Sequence, residues 1–231
     1  MPELSGEYIR DRIAEFEWFV HVDFGDGIVA RSTAWPDAPA DSRHMGVAKF
    51  EFIVRPNLPD LHGARVLDLG CNCGLVAIHM ARLGAAEVVG VDLDEQWPKW
   101  QEQAEFVKSA LEWRSKTTYN IRYVEMNMRD LPTAGLGRFE IVTALNCLYY
   151  LEEPDIERVT AHVARTSNLF AVQCNTRDHD GLGRRSKPAY MRSVLERNGF
   201  PRTHVAAPWD PPKRRFWPQR YHRPLVVGTK K

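Results

Sequence analysis

Apolar positions follow two different periods along this chain, and the second period begins near residue 64. From there, short apolar runs typical of buried strands alternate with stretches whose apolar residues recur every three or four positions, as in amphipathic helices. The first such pair is "ARVLDLG" followed by "GLVAIHMARLG". Repeated units of this kind predict an α/β fold with a doubly wound, mostly parallel sheet and helices on both faces.

The predicted elements can be read directly from the pattern. Strands are expected in "ARVLDLG", "AEVVGVDLD", "NIRYVEMN", "RFEIVTALNCL" and "NLFAVQCN", with two more near 203–206 and 224–228. Helices are expected in "GLVAIHMARLG", from about residue 96 to 116, in "EPDIERVTAHVAR" and in "KPAYMRSVLERNG".

The first sixty residues have a different organisation. Helical spacing over 5–17 precedes "WFVHVDFGDGIVARS", in which alternating apolar residues flank Gly-Asp-Gly and predict a β-hairpin. A loop, "STAWPDAPADS", then leads into a helix predicted in "DSRHMGVAKFEFIV" and ended by Pro56 and Pro59. Residues 1–60 are therefore expected to form a helix and hairpin cap.

Composition places the chain among ordinary globular proteins. Of 231 residues, 44% are hydrophobic and 26% are charged. The first residues lack the apolar run of a secretory signal, and the longest uncharged apolar stretch, 141–151, is too short to cross a bilayer. We expect a cytoplasmic protein without a membrane partner.

Charge is distributed unevenly although the net charge is only +1. Residues 184–231 contain 13 Lys and Arg against 2 Asp and Glu, so this section carries +11 and the remainder −10. The section indicates either an anionic substrate or RNA, or simply a solvated basic surface. Its segment "PPKRRFWPQRYHRP" mixes basic and aromatic residues but is interpreted first as a proline-rich crossing loop.

The loop 70–74 follows the first buried strand, where ligands bind in open α/β sheets. No Lys-Ser or Lys-Thr follows Gly74, which excludes a P-loop. Asn72 and Leu75 replace two glycines of the GxGxxG pattern, which argues against NAD or FAD. The third candidate is S-adenosylmethionine (SAM), which has no phosphate and requires less glycine.

Four motifs in order resemble those of class I SAM-dependent methyltransferases. They are "VLDLGCNCG", "VVGVDLDE", "VEMNMRDLP" and "FEIVTALNCLYYLEEP", spread over residues 60–175. The resemblance implies a Rossmann-like methyltransferase fold over 61–231, with SAM as cofactor and a seven-stranded sheet whose last strand is inserted antiparallel. Asn72 stands where the family usually has glycine, and asparagine tolerates the left-handed backbone that this position requires.

A second resemblance concerns a subgroup that includes the tRNA uridine-5-oxyacetic acid carboxymethyltransferase. The stretch around Trp18, the hairpin, "PNLPDLHGARVLD" and "MARLGAAEVVGVD" are similar to it. That enzyme uses carboxy-SAM, so the sequence leaves open whether carboxy-SAM replaces SAM.

The class I resemblance also implies roles for individual residues. Asp92 would accept hydrogen bonds from both ribose hydroxyls, and Leu93 would pack under the adenine. Asn127 would bond the adenine amine, and Met128 would supply a backbone N–H. The residues expected at the loop and the methionine end of the cofactor are Asp68, Gly70, Cys71, Asn72, Gly74 and Asn146.

Aromatic and sulfur side chains near these motifs have two interpretations each. Trp97 and Trp100 follow Asp92 and are interpreted as core residues more readily than as a wall of the adenine pocket. The four cysteines come after predicted strand ends, but their CxC spacing is unusual for zinc, and no metal is expected.

Candidate catalytic and acceptor-binding residues follow the fourth and fifth strands. Tyr149, Tyr150 and His179 are candidates for a general base, which methyl transfer needs only if the acceptor must lose a proton. An anionic acceptor group would meet Arg177, Arg184 and Arg185. His21 is a further substrate-binding candidate if the cap folds over the site.

Three functions remain open from the sequence. The first is methyl transfer from SAM to oxygen or nitrogen of a small molecule, with an anionic molecule suggested by the basic residues. The second is methylation or carboxymethylation of tRNA or another RNA. The third is SAM binding without catalysis. The sequence identifies neither the acceptor nor the oligomeric state.

Overall fold

The computed structural model describes residues 4–33, 50–95, 97–176, 181–206 and 223–230. The strands are β1 Val22–Gly25, β2 Ile28–Ala30, β3 Arg65–Leu69, β4 Glu87–Asp92, β5 Ile121–Glu125, β6 Ile141–Leu145, β7 Leu169–Gln173, β8 Arg202–Val205 and β9 Leu225–Thr229. The α-helices are α1 Gly6–Ile13, α2 Leu75–Arg82, α3 Trp100–Ser115, α4 Glu153–Thr166 and α5 Pro188–Arg197.

Short helical turns join several of these elements. A π-helical turn spans Phe50–Val54, and 3-10 turns span Arg55–Asn57, Met128–Thr133, Leu148–Tyr150 and Gly183–Ser186. Of the helix predicted in "DSRHMGVAKFEFIV", residues 41–49 lie outside the described residues.

The central sheet has seven strands in the order β5-β4-β3-β6-β7-β9-β8. The pairs from β5 to β7 are parallel, and β9 runs antiparallel to both β7 and β8. This confirms the predicted fold class, including the inserted antiparallel strand. The chain leaves β3 toward β4 on one side and later returns to β6 on the other, which opens a crevice at the carboxyl ends of these strands.

Two helices begin or end differently from the prediction. α3 begins at Trp100 rather than near 96, because Lys99 has a left-handed φ of 62° and its N–H donates to Asp94 Oδ1 at 2.6 Å. α1 ends at Ile13 rather than near 17, because Trp18 Nε1–H donates to the Ile13 carbonyl at 2.9 Å.

The hairpin of the cap is present as β1 and β2, which pair antiparallel. Phe16 and Phe24 pack against Phe106 of α3, with ring centroids 5.7 and 5.6 Å apart. Apolar residues of α1, the hairpin, α2 and α3 belong to one continuous core cluster on this face of the sheet. The boundary near residue 60 therefore stays a prediction.

Across the part of the chain that the structure describes, none of the helices combines the length and the apolar character that a bilayer crossing requires.

Candidate functional site

A cavity of about 690 Å³ lies at the carboxyl ends of β3, β4, β5 and β6, at the reversal of strand order. Nine of the ten residues expected at the cofactor line it: Asp68, Gly70, Cys71, Asn72, Asp92, Leu93, Asn127, Met128 and Asn146. The tenth, Gly74, begins α2 as its N-cap with a left-handed φ of 72°. The four motifs are thus brought together in space.

Backbone constraints fix the loop 70–74 at the edge of the cavity. The N–H groups of Gly70 and Cys71 both donate to the Val91 carbonyl of β4, at 2.8 and 3.0 Å. A Cβ at Gly70 would lie 2.7 Å from Cys147 Cβ, and one at Gly74 would lie 2.1 Å from Tyr123 Oη. Only glycine fits these two positions without displacement of the neighbours.

Asn72 occupies the left-handed region that its position was expected to require, with φ of 48°. Its N–H donates to Asp92 Oδ2 at 2.6 Å, while Leu93 N–H donates to Asp92 Oδ1 at 2.8 Å. These bonds join the loop after β3 to the end of β4. Each carboxylate oxygen has a second lone pair, so Asp92 can accept further hydrogen bonds from a ligand in the cavity that it lines.

Burial raises the pKa of Asp92, although its two backbone hydrogen bonds act in the opposite direction. Further hydrogen-bond donors would stabilise this carboxylate, because hydrogen bonds to the charged form offset its desolvation. The hydroxyl pair of a ribose supplies two such donors.

Two asparagines that line the cavity carry amide oxygens that are shielded from solvent. Asn72 Oδ1 and Asn146 Oδ1 have no hydrogen-bond partner among the described residues. Asn146 follows β6 with a left-handed φ of 63°. A buried acceptor without a donor costs about 1–3 kcal/mol, so either oxygen would be stabilised by a donor that reached it.

Asp68 lies behind this end of the cavity and is 2% exposed. Its Oδ1 accepts a hydrogen bond from Thr143 Oγ1 of β6 at 2.6 Å. The carboxylate therefore links β3 to β6 below the loop.

Asn127 and Met128 enter the cavity where β5 ends. Asn127 Oδ1 accepts from Arg129 N at 3.1 Å and thereby begins the 3-10 turn Met128–Thr133. Part of the side chain is thus used locally. Its bond to the adenine amine stays a prediction.

The two tryptophans after Asp92 have separate positions. Trp100 is fully buried and meets Tyr123 edge to face at 6.2 Å, so it is a core residue. Trp97 lines the cavity together with Phe19 and Val20 of the cap. Sequence reasoning missed Phe19 and Val20, because the pattern predicted the hairpin but not the surface on which it packs.

The acceptor side of the cavity lies beyond β6. Tyr150, Leu151 and Arg223 line it, and Tyr150 is 59% exposed. Tyr149 is buried, packs against Tyr150 at 4.9 Å and does not line the cavity, and burial raises its pKa. The hydroxyl of Tyr150 is therefore better placed to meet a substrate than that of Tyr149.

Arg223 is a cavity residue that sequence reasoning did not select. It precedes β9, and because β9 is antiparallel its beginning lies at the carboxyl edge of the parallel strands. Gln173 Nε2 donates to the Arg223 carbonyl at 3.0 Å and holds this backbone in place. The sequence predicted the antiparallel strand, but the residue that precedes it could be assigned to the site only from the fold.

The other predicted acceptor residues lie away from the cavity wall. Arg184 forms an ion pair with Glu153 at 2.6 Å, and Arg185 with Glu152 at 2.7 Å. His21 is engaged within the cap, where its Nδ1 accepts from Ser32 N at 2.9 Å. Burial also lowers the pKa of His21. These three residues contact the cap or α4 instead of the cavity.

Arg177 and His179 lie outside the described residues, as does most of "PPKRRFWPQRYHRP". Their proposed roles as anion clamp, general base and RNA contact remain predictions.

The cysteines are buried or half-buried thiols. Cys147 Sγ donates to the Leu69 carbonyl at 3.0 Å, and burial raises the pKa of Cys73 and Cys174 to about 12. Within the described ranges, no cluster of three or more His, Cys, Asp or Glu side chains is arranged to hold a metal ion.

Known proteins are similar to this chain in sequence around the site and in fold. A family model described as "Methyltransferase domain" matches residues 66–168. Magnesium-protoporphyrin O-methyltransferase of Rhodobacter capsulatus is 33% identical over 123 residues, which cover 52% of this chain and 49% of that protein. Ubiquinone biosynthesis O-methyltransferase of Neisseria meningitidis serogroup C is 32% identical over 111 residues, covering 48% of this chain and 43% of that protein. The matched region thus spans about half or less of these relatives.

Among solved structures, the N-terminal domain of EvdMO1 with SAH bound superimposes with a TM-score of 0.65 at 18% identity. The alignment covers 99% of this chain and 98% of that chain, so the likeness of fold extends beyond the matched domain. The resemblance to the tRNA-modifying subgroup stays a prediction. Residues 66–168 match a methyltransferase domain, and over this part of the chain the comparisons bear out the resemblance to class I SAM-dependent methyltransferases.

Proposed function

We propose that the protein transfers a methyl group from SAM to an oxygen atom of a small molecule that carries an anionic group. The observation that carries the proposal is the junction of Asp92 with Asn72 at the cavity, where a carboxylate would meet the ribose hydroxyls. Asn146 and residues 70–73 line the same cavity and would meet the methionine end of the same ligand.

The residues divide the cofactor between them. Asp92 would bind the ribose hydroxyls, Leu93 the adenine face, and Asn146 with the loop 70–74 the methionine end. When bound, SAM supplies an electrophilic methyl group on a sulfonium, whose displacement leaves a neutral thioether. Catalysis then depends mainly on alignment of the acceptor and exclusion of water.

The acceptor is proposed to lie between Tyr150 and Arg223. None of the carboxylates in the described ranges pairs with the Arg223 side chain, so an anionic acceptor would provide its counter-charge. Both curated relatives named above are O-methyltransferases, which favours oxygen over nitrogen as the methylated atom.

The experiment is incubation of a cell extract with the protein and isotopically labelled SAM, followed by mass spectrometry of labelled products. An O-methylated small anion supports the proposal. Labelled RNA would replace it with the RNA-modifying function, and retention of RNA by the protein would then weaken with salt. Calorimetry should give binding heat with SAM and its product S-adenosylhomocysteine. Heat with SAM but no labelled product would indicate a binding protein without catalysis.

A further inference from the structure

An aromatic pair that spans two regions of the chain forms part of the cavity wall. Phe19 of the cap and Trp97, which precedes α3, both line the cavity. Their rings meet edge to face, with centroids 5.8 Å apart and an interplanar angle of 75°. One member is therefore supplied by a segment outside the matched methyltransferase domain of residues 66–168.

The pair lies on the side of the cavity assigned to the nucleoside. Trp97 N–H donates to the Leu93 carbonyl at 3.3 Å, which places the tryptophan one turn beyond Asp92 and Leu93. In the sheet order, β3 lies between this side and Tyr150, which follows β6, while β3, β6 and β7 lie between it and Arg223, which precedes β9. A flat, weakly polar ligand group is what an aromatic wall of this kind accommodates.

A buried glutamine joins the two members of the pair. Gln103 of α3 is 1% exposed, and its Oε1 accepts from Trp97 Nε1–H at 3.2 Å. Its Nε2 donates to the Glu17 carbonyl at 2.7 Å, two residues before Phe19. A single side chain thus orients both the indole and the backbone of the cap, and neither end of its amide is left without a partner.

The cap is also held to α3 by contacts away from the cavity. Arg12 pairs with Glu102 at 2.7 Å, and Arg114 pairs with Asp26 at 2.5 Å. These contacts flank the Gln103 bridge on the same helix. The position of Phe19 is therefore determined before any ligand arrives, and this limits the entropic cost of binding.

We infer that the cap forms part of the cofactor site: Phe19 and Trp97 bind the adenosine moiety, and Gln103 is the positioning residue that holds them together. The inference rests on the proposed use of SAM. It assigns the cap a direct contact with the cofactor, in addition to its packing on α3.

The test is calorimetric titration of the full chain with S-adenosylhomocysteine and, separately, with 5′-methylthioadenosine, which keeps the adenosine but lacks the amino-acid end. Phe19→Ala should raise the Kd of both ligands about tenfold. Phe19→Leu, which preserves most of the packed volume, should raise both by a smaller factor, and it decides the outcome if the alanine variant does not fold. Tyr8→Ala, in α1 and off the cavity wall, should change neither Kd more than about twofold.

The positioning role of Gln103 is tested with a measurement that a loss of stability alone does not change. Binding of S-adenosylhomocysteine should alter the tryptophan emission of the wild type and of Trp113→Phe, but much less that of Trp97→Phe. Gln103→Leu should bind more weakly and lose the same part of the emission change.

The failures of the two proposals are distinguishable. Absence of heat with the wild-type protein would reject SAM as the cofactor. Normal binding by the wild type with unchanged Kd values for the Phe19 variants would reject the cap contact alone. A loss for S-adenosylhomocysteine without a loss for 5′-methylthioadenosine would overturn the assignment to adenosine.

Discussion

The two sides of the cavity are built in different ways. The cofactor side, at β3, β4 and β5, depends on backbone: left-handed residues, glycines pressed against side chains, and a carboxylate bonded to two N–H groups. The acceptor side, at β6 and before β9, presents the long side chains Tyr150, Leu151 and Arg223. The backbone therefore fixes the shape of the cofactor side, whereas the side chains of the acceptor side can be substituted without a change of backbone.

The two sides of the cavity are also far apart in the sheet. Four strand spacings, about 19 Å at 4.8 Å each, lie between β4 and β9 in the sheet order. This distance can hold both ligands, with the nucleoside of SAM on one side and the methyl acceptor on the other. Substitutions on one side should therefore leave the other side's binding nearly unchanged, and the following predictions test this independence.

The largest effect is expected at the glycine that begins α2. Gly74→Ala should lower the free energy of unfolding by about 3 kcal/mol, because the new Cβ adds a clash with the Tyr123 hydroxyl to the cost of a left-handed φ. Gly27→Ala is the matched control, since its φ is 73° and no other atom lies within 4 Å of the added Cβ. Urea unfolding should show a loss of about 1 kcal/mol for the control, and equal losses would contradict the close contact.

Acid should weaken the fold through the helix that supports the cofactor loop. His79 of α2 stacks on Phe50 at 5.1 Å, and burial lowers its pKa from 6.5 to about 4. The unfolded chain binds a proton below pH 6.5 while the folded chain does not, so stability falls as pH is lowered from 6.5 to about 4. The integrated loss is about 3 kcal/mol.

Urea unfolding at a series of pH values measures this loss. His79→Leu should remove most of the slope in that interval, whereas His204→Gln, on the exposed edge strand β8, should retain it. A slope that survives in His79→Leu would show that other groups cause the acid sensitivity.

Asp92 should control cofactor affinity. Asp92→Asn removes the charge that the ribose hydroxyls would meet, and the Kd for S-adenosylhomocysteine should rise about thirtyfold. Because burial raises the pKa of Asp92, wild-type affinity should also decline as pH is lowered from neutral toward that pKa, and the variant should not show this decline. Calorimetry at several pH values tests both statements.

The control for Asp92 is the acid at the same register on the neighbouring strand. Glu125 pairs with Asp92 in the β4–β5 ladder but is exposed and does not line the cavity. Glu125→Gln should change the Kd less than twofold. An equal loss in both variants would mean that general charge, rather than the Asp92 contact, determines affinity.

The same contrast explains which parts of the site the sequence predicted. Loop 70–74 and Asp92 are recognisable because their requirements are local: a strand end, glycines, and an acid before the next helix. Arg223 and Phe19 reach the cavity through long-range topology, one by an antiparallel strand and the other by packing of the cap on α3. No spacing along the chain encodes either juxtaposition.

Errors at the helix ends have the same physical origin. The local pattern predicted the apolar faces of α3 and α1 but not their ends. The start of α3 depends on the hydrogen bond that Asp94 accepts from Lys99 N–H, and the end of α1 on the bond that Trp18 donates to the Ile13 carbonyl. The positive charges of Arg184 and Arg185 suggested contacts with an anionic acceptor. Their acidic partners on and before α4 became evident only in the fold.

The smallest effect on cofactor binding is expected at Arg223. Arg223→Gln should leave the Kd for S-adenosylhomocysteine within about twofold of wild type, because the strands β3, β6 and β7 lie between Asp92 and this residue in the sheet order. The KM for the anionic acceptor identified by mass spectrometry should rise about tenfold or more, since a charge-assisted hydrogen bond is lost. Arg184→Gln removes the same charge from an exposed pair with Glu153 and should leave both constants nearly unchanged. If Arg184→Gln raises the KM and Arg223→Gln does not, the acceptor lies outside this cavity, and the two sides of the site do not share one ligand path.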